Sequence, residues 1–212
     1  MASNRRIVGV LDYGLGNIGS VKRALEDLKY KVDVIRASTD ELKRLDDISH
    51  LIIPGVGAWA EGVKNIISGG FRDKIQSRIE VDSNFRLLGI CLGMQLLGSH
   101  SEEGTGQGLT LINERIVRFN PDKNLKIPRI VWSNISKKKD SFIVDGIDES
   151  DMFYYVHSYH FNEKMVNNLI ATSSSTYEYP SIVGSGNIIG VQFHPEKSYD
   201  SGSKILSNFI EY

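Results

Sequence analysis

Short apolar runs rich in valine and isoleucine alternate with helix-period segments through the first half of the chain. Arg6–Leu11 (RIVGVL) reads as a buried strand, and Ile18, Val21, Leu25 and Leu28 then fall on one face of a helix. Lys31–Ile35 predicts a second strand, and His50–Ile53 a third that Pro54 and Gly55 should stop. Helices are expected around Gly62–Ile67 and Phe71–Val81. Arg86–Ile90 (RLLGI) predicts a fourth strand, running straight into a helix over Cys91–Ser99. Strand–helix alternation of this kind implies right-handed crossovers and a parallel sheet covered on both faces.

The second half reads differently. Strands are expected at Leu109–Leu111, Ile116–Phe119, Arg129–Trp132, Phe153–His157 and Leu169–Thr172, without convincing helices between them. That suggests antiparallel strands appended to the sheet. Lys137–Asp140 reads as a solvated loop and Ser173–Thr176 as a surface turn. A last strand, Ile188–Phe193, precedes a closing helix carrying Ile205, Leu206, Phe209 and Ile210. The expected fold is α/β: a doubly wound, mostly parallel sheet with helices on both faces and appended antiparallel strands.

Composition narrows the class. At roughly 100–200 residues per domain, 212 residues favour one domain spanning positions 1–212. The 25 Lys+Arg against 26 Asp+Glu leave a charge of −1, so there is no electrostatic case for nucleic acid or an anionic membrane. One cysteine rules out an internal disulfide. The apolar run after the basic start is too short for a signal peptide, and none approaches the roughly 18 residues of a membrane span. A cytoplasmic protein is expected.

Three segments carry candidate chemistry. Gly14-Leu15-Gly16-Asn17-Ile18-Gly19 fits the glycine fingerprint of a dinucleotide fold, with Asp33 near the place of a ribose-binding acid. Asp33, however, lies inside the second strand pattern, so a tight turn capped by Asn17 is the better reading. No nicotinamide or other cofactor is expected. Gly89-Ile90-Cys91-Leu92-Gly93 has the spacing of a nucleophile elbow between a strand and a helix. Flanking glycines permit the sharp turn, and the helix N-terminus favours the thiolate. Leu51–Gly57 ends in Pro54-Gly55-Val56-Gly57, whose backbone N–H groups are possible oxyanion donors.

A thiol nucleophile needs a base, and the base needs an orienting group. His50 opens a strand and His100 follows a helix, neither with a carboxylate placed to steer it. His157 and His160 make a poor metal motif, and no metal is expected. His194 ends the last strand with Glu196 two residues on, across a stiffening proline. Cys91, His194 and Glu196 therefore form the candidate catalytic set.

Taken together, Asp12–Asn17 (DYGLGN), Pro54–Gly57 (PGVG), Gly89–Gln95 (GICLGMQ), Tyr155–Tyr159 (YVHSY) and Gln192–Lys197 (QFHPEK) resemble the class I, triad-type glutamine amidotransferases. Order and spacing are most similar to the glutaminase subunits of imidazole glycerol phosphate synthase. The resemblance implies that Cys91 attacks the side-chain amide of L-glutamine while His194 relays protons and Glu196 orients it. It implies oxyanion donors at the Leu92 and Val56 N–H groups, the latter once the Gly55–Val56 peptide is suitably turned. Gln95, His157, Ser158 and Tyr159 would hold the substrate. Ammonia would pass to a (β/α)8-barrel cyclase subunit in a heterodimer serving histidine biosynthesis, with Asn17, Trp132 and Lys197 facing that partner.

One departure stands out. Such subunits usually read His-Met-Gly-Trp where this chain has Arg129-Ile130-Val131-Trp132. An exposed Arg129 is expected to present a fixed cation to an altered partner rim. Two alternatives follow: a paralogous subunit feeding an enzyme that amidinates surface-polysaccharide sugars, and a stand-alone γ-glutamyl cysteine hydrolase.

Overall fold

The computed structural model describes residues 7–120, 126–164, 167–173 and 177–212. In chain order the first half runs β1 (Ile7–Asp12), α1 (Ile18–Asp27), β2 (Lys31–Arg36), α2 (Thr39–Lys43), β3 (His50–Gly55), α3 (Trp59–Ser68), α4 (Phe71–Val81), β4 (Arg86–Cys91) and α5 (Leu92–Leu96). The second half adds β5 (His100–Ser101), β6 (Arg115–Arg118), β7 (Arg129–Ser133), β8 (Ile135–Lys137), β9 (Phe153–His157), β10 (Tyr159–Phe161), β11 (Leu169–Ser173), β12 (Tyr179–Ser185), β13 (Ile188–Val191) and α6 (Tyr199–Glu211).

Among the described residues an eight-stranded sheet has the order β2-β1-β3-β4-β13-β12-β11-β8. The first five strands in that order are parallel neighbours, and β12, β11 and β8 extend the sheet antiparallel. Strand periodicity divides the core between the two faces. Val8, Val10, Ile52, Leu88 and Ile90 face a cluster completed by Val21 and Leu25 of α1 and by Ile205, Leu206 and Phe209 of α6. Leu11, Leu51, Ile53 and Leu87 face the opposite cluster, with Val63 and Ile66 of α3 and Phe71 and Ile75 of α4. Each fully buried side chain of this size stabilises the fold by about 1.5–3 kcal/mol.

Several expectations are corrected. Strand β3 is not stopped at Pro54 but continues to Gly55, paired in register with β4 as far as Gly55↔Cys91. Pro54 lies beyond the β1 ladder, which ends at Ile52, so its missing N–H breaks no bond on that side. The helix after Cys91 closes at Leu96. Leu109–Leu111 is no strand: Leu109, Thr110 and Ile112 donate their N–H groups to the carbonyls of Leu96, Gly98 and Leu97, capping the end of α5. Not every appended strand joins the main sheet, since β10-β6-β5 and β7-β9 form small sheets of their own. Ser173 is a buried end of β11, donating to Ser133 Oγ at 2.9 Å, while residues 174–176 of the expected turn lie outside the described residues. So does Arg6 of the first expected strand. The loop after β8 is exposed at Lys138–Asp140, as its charges imply.

Among the described residues no helix is long and apolar enough to cross a membrane.

Candidate active site

The ends of β1, β3, β4 and β13 converge at one edge of the sheet, where open α/β folds place their crevices. Strand β4 delivers Cys91, whose backbone turns to φ 54°, ψ −109° before α5 begins. A non-glycine residue in such a conformation costs about 1–3 kcal/mol and is held only by its surroundings. The neighbouring glycines supply that hold. A Cβ on Gly89 would lie 2.6 Å from the Gly93 carbonyl oxygen, and one on Gly93 would strike the Ile53 carbonyl. Without side chains there, α5 seats directly on β3 and β4.

The Cys91 thiol is buried. It donates to the Val156 carbonyl at 3.8 Å and accepts from Gln192 Nε2 at 3.7 Å. His194 follows β13, its backbone N–H donating to the Tyr154 carbonyl at 2.9 Å. Its Nδ1 meets Glu196 Oε1 at 2.9 Å, and the two side chains are only 2% and 1% exposed. Pro195 opens the single 3-10 turn that brings Glu196 back beneath the ring. Burial opposes the imidazolium, but Cys91 on one side and Glu196 on the other outweigh it and raise the His194 pKa to about 10. At neutral pH the ring is therefore a buried cation between the Cys91 sulfur and a carboxylate.

A cavity of about 180 Å³ opens beside the thiol, lined by Cys91, Leu92, Gln95, Glu103 and the segment Val156–Tyr159, with Gly57 and Pro128 at its edges. Gln95 Nε2 donates to the Tyr159 carbonyl at 2.9 Å and to Gln192 Oε1 at 3.2 Å. His157 Nδ1 lies 2.8 Å from the Tyr159 carbonyl oxygen. Burial, with smaller repulsions from His160, Arg129 and His194, outweighs that bond and pushes the His157 pKa down to about 3. The ring is thus neutral, with Nδ1–H as the donor. Gly55 and Val56 sit next to this cavity at the end of β3, Gly55 in register with Cys91.

Asn17 and Lys197 lie elsewhere, with Glu196 and Tyr199 on a groove of about 730 Å³ between α1 and the start of α6. Asn17 also caps α1, its side-chain oxygen accepting from the Ser20 N–H at 3.4 Å. Trp132 stacks on Tyr199 at 5.5 Å and leans on Tyr154 at 5.6 Å, and Lys197 Nζ lies 5.6 Å from the Tyr154 ring centre. All three positions thus share one face around an exposed aromatic patch.

The glycine fingerprint is a turn. Gly14 and Gly16 adopt φ values of 85° and 137°, while Asp33 is paired with Arg44. His160 is fully buried, with Nδ1 2.7 Å from the Phe161 carbonyl oxygen.

Arg129 is the main correction. Alternation along β7 sends Ile130 and Trp132 outward and turns Arg129 and Val131 inward. The guanidinium rests beside the Tyr179 hydroxyl and the His157 ring, and the residue is half-buried rather than fully exposed. Val131 packs on the core in an ordinary strand pair with Tyr155.

Two site residues escaped the sequence reading. Glu103 brings a carboxylate to the cavity, its Oε2 accepting the Trp59 N–H at 2.9 Å. Gln192, fully buried, orients an amide N–H at the sulfur. Gln192 stands two residues before His194 in the Gln192–Lys197 segment, and that proximity was an available signal. The segment around Glu103 offers none.

A thiol at a strained strand–helix junction, a protonated imidazole, a buried carboxylate and a small carboxylate-bearing cavity can together perform acyl transfer on an amino-acid amide.

The family model for glutamine amidotransferase class-I matches residues 9–212. The chain is 37% identical over 205 residues to imidazole glycerol phosphate synthase subunit HisH 2 of Methanococcus maripaludis, covering 97% of this chain and 99% of that one. It is 40% identical over 213 residues to subunit HisH of Natronomonas pharaonis, covering 97% and 94%. Among solved structures it is similar in fold to PurLQS from Thermotoga maritima, with TM-score 0.73 and 16% identity over 98% of this chain and 99% of that one.

Proposed function

The chain belongs to the class I glutamine amidotransferases, and from that premise we propose that it is the glutaminase subunit of an imidazole glycerol phosphate synthase. In this reading it hydrolyses L-glutamine to glutamate and ammonia. The ammonia passes to a (β/α)8-barrel cyclase subunit, which makes imidazole glycerol phosphate and an aminoimidazole carboxamide ribonucleotide. The two chains work as a cytoplasmic heterodimer.

The carrying observation is the arrangement at Cys91: strained backbone, His194–Glu196 pair behind the thiol, and the cavity in front. Glutamine enters with its ammonium toward Glu103 and its carboxamide toward the sulfur. The thiolate attacks the carboxamide carbon, and the developing oxyanion takes the N–H groups of Leu92 and Val56. His194, already protonated, gives its proton to the departing nitrogen, which leaves as ammonia. The imidazole then takes a proton from water, the hydroxide opens the γ-glutamyl thioester, and glutamate leaves as the thiolate–imidazolium pair is restored.

The inward turn of Arg129 supports the histidine-pathway partner over a sugar-amidinating one, because its charge is directed toward His157 and Tyr179. The assay is glutamate release by this chain alone and with the cyclase subunit loaded with its ligand. Stimulation of about 10²–10³, the worth of one oxyanion donor, is expected. Equal rates with and without the cyclase would favour the stand-alone hydrolase. In cells, expression in a histidine auxotroph lacking only its own glutaminase subunit should restore growth. A soluble chain that fails to do so speaks for the paralogous partner.

A further inference from the structure

The hydroxyl of Tyr13 is buried without a hydrogen-bond partner, although the residue is only 4% exposed. Leaving a buried hydroxyl unsatisfied is costly, and phenylalanine would fill the same space without that cost. The choice of tyrosine therefore calls for a partner that arrives in another state of the molecule.

Register identifies where that partner comes from. Strands β1 and β3 pair up to Val10↔Ile52, so Tyr13, three residues on, stands beside Gly55. On the other side of β3, Gly55 is paired with Cys91. Tyr13 and Cys91 thus flank Gly55 from opposite sides, and the Tyr13 hydroxyl abuts the glycine so closely that a Cβ there would collide with it. The charge of Cys91 reaches the same hydroxyl and, after burial, is the second cause holding its proton on. The Gly14–Gly16 turn also touches this strand end, a Cβ on Gly16 lying 3.1 Å from the Pro54 carbonyl oxygen.

In a trans peptide the carbonyl and the following N–H point in opposite directions. When the Val56 N–H points toward Cys91 to receive the oxyanion, the Gly55 carbonyl must point to the β1 side, where the Tyr13 hydroxyl waits. That peptide turns through ψ of Gly55, where the absence of a side chain leaves the rotation open.

We propose that Tyr13 is a positioning residue whose hydroxyl donates a hydrogen bond to the Gly55 carbonyl and so holds the Gly55–Val56 peptide in its oxyanion-binding orientation. The proposal rests on the glutaminase reading above. It assigns Tyr13 no contact with substrate: the hydroxyl acts only through the peptide.

The test is Tyr13→Phe in the assembled complex with the ligand-loaded cyclase subunit. Expected are a 10- to 100-fold fall in kcat for glutamine hydrolysis, an unchanged KM for glutamine and unchanged ammonia-dependent synthesis. Alkylation of Cys91 by iodoacetamide should proceed at the wild-type rate, which a misfolded variant would not match. A variant with wild-type kcat would overturn the role of the hydroxyl. The second measurement needs no variant. In a crystal structure of the wild-type complex trapped with a covalent glutamine analogue, Tyr13 Oη should lie within about 3.2 Å of the Gly55 carbonyl oxygen. A separation that excludes a hydrogen bond overturns the proposal. If the wild-type complex released no glutamate, or released it equally well as Cys91→Ala, the glutaminase reading itself would fall.

Discussion

Replacing Glu196 by glutamine removes one charge and leaves the shape of the site almost untouched. In the native structure the carboxylate meets His194 Nδ1 at 2.9 Å, with both side chains all but sealed from water. A hydrogen bond to a charged group is worth about 1.5–3 kcal/mol, roughly twice a neutral one. Glutamine can still accept from Nδ1–H, so the net loss is the difference, about 0.8–1.5 kcal/mol. At 1.36 kcal/mol per tenfold in rate, kcat for glutamine hydrolysis should fall by about 4- to 13-fold. The pH profile should change in a definite direction. The pKa of His194 is raised to about 10, after burial is overcome by Cys91 and Glu196 together. Activity that needs the imidazolium is lost as pH rises through that value. Removing the carboxylate lowers the pKa, so the alkaline limb must move to lower pH. The assay is glutamate release by the complex across pH 6–11, with Glu196→Asp as the charge-conserving comparison. A glutamine variant with kcat within twofold of wild type and an unmoved alkaline limb would refute this reasoning.

Two further outcomes follow from the same geometry. In Gly202→Ala the new methyl would strike the Pro195 carbonyl, so the turn carrying Glu196 must shift. Overpacking of this kind costs about 1–3 kcal/mol, and a melting curve with a glutaminase assay should show stability and kcat falling together. Stability against pH should be bounded by two histidines of opposite sign. His157, depressed to about 3 by burial, contributes stability present above an ordinary imidazole pKa and lost as pH falls toward 3. His194, raised to about 10, contributes stability present below the ordinary value and lost as pH rises through 10. Denaturant midpoints measured across that range should flatten on the acid side in His157→Gln and on the alkaline side in Glu196→Gln. An acid limb unchanged in His157→Gln would mean that carboxylates alone set it.

The parallel half of the fold was legible because its strands are buried on both faces and read as near-continuous apolar runs between turn residues. Phe71–Val81 was read to the residue, and β1 to β4 to within one or two. The later strands were harder. In β12 (YPSIVGS) a proline, a serine and a glycine interrupt the apolar pattern, although its first five residues are buried. Leu109–Leu111 looks like a strand only until its N–H groups are traced to the end of α5.

The candidate site divides along the same line. Cys91 announces itself through its glycines, and His194 with Glu196 through the short link that bends one beneath the other. These are local patterns. Gln192 reaches the sulfur across 101 positions of sequence, and Glu103 reaches the cavity from a loop, so both emerge only when strands are ordered in space. Arg129 was misread for a related reason. Which side of β7 faces inward is set by its pairing with β9, and the residues of β7 alone do not fix that choice.

The central claim is that ammonia is made at Cys91 and used elsewhere. Its most direct measurement compares glutamine-dependent with ammonia-dependent synthesis by the complex carrying Cys91→Ala. The thiol is needed only to release ammonia, so glutamine should no longer support synthesis, while ammonium salt supplied from solution should support it at the wild-type rate. A Cys91→Ala complex that still used glutamine as well as the wild type would contradict the account.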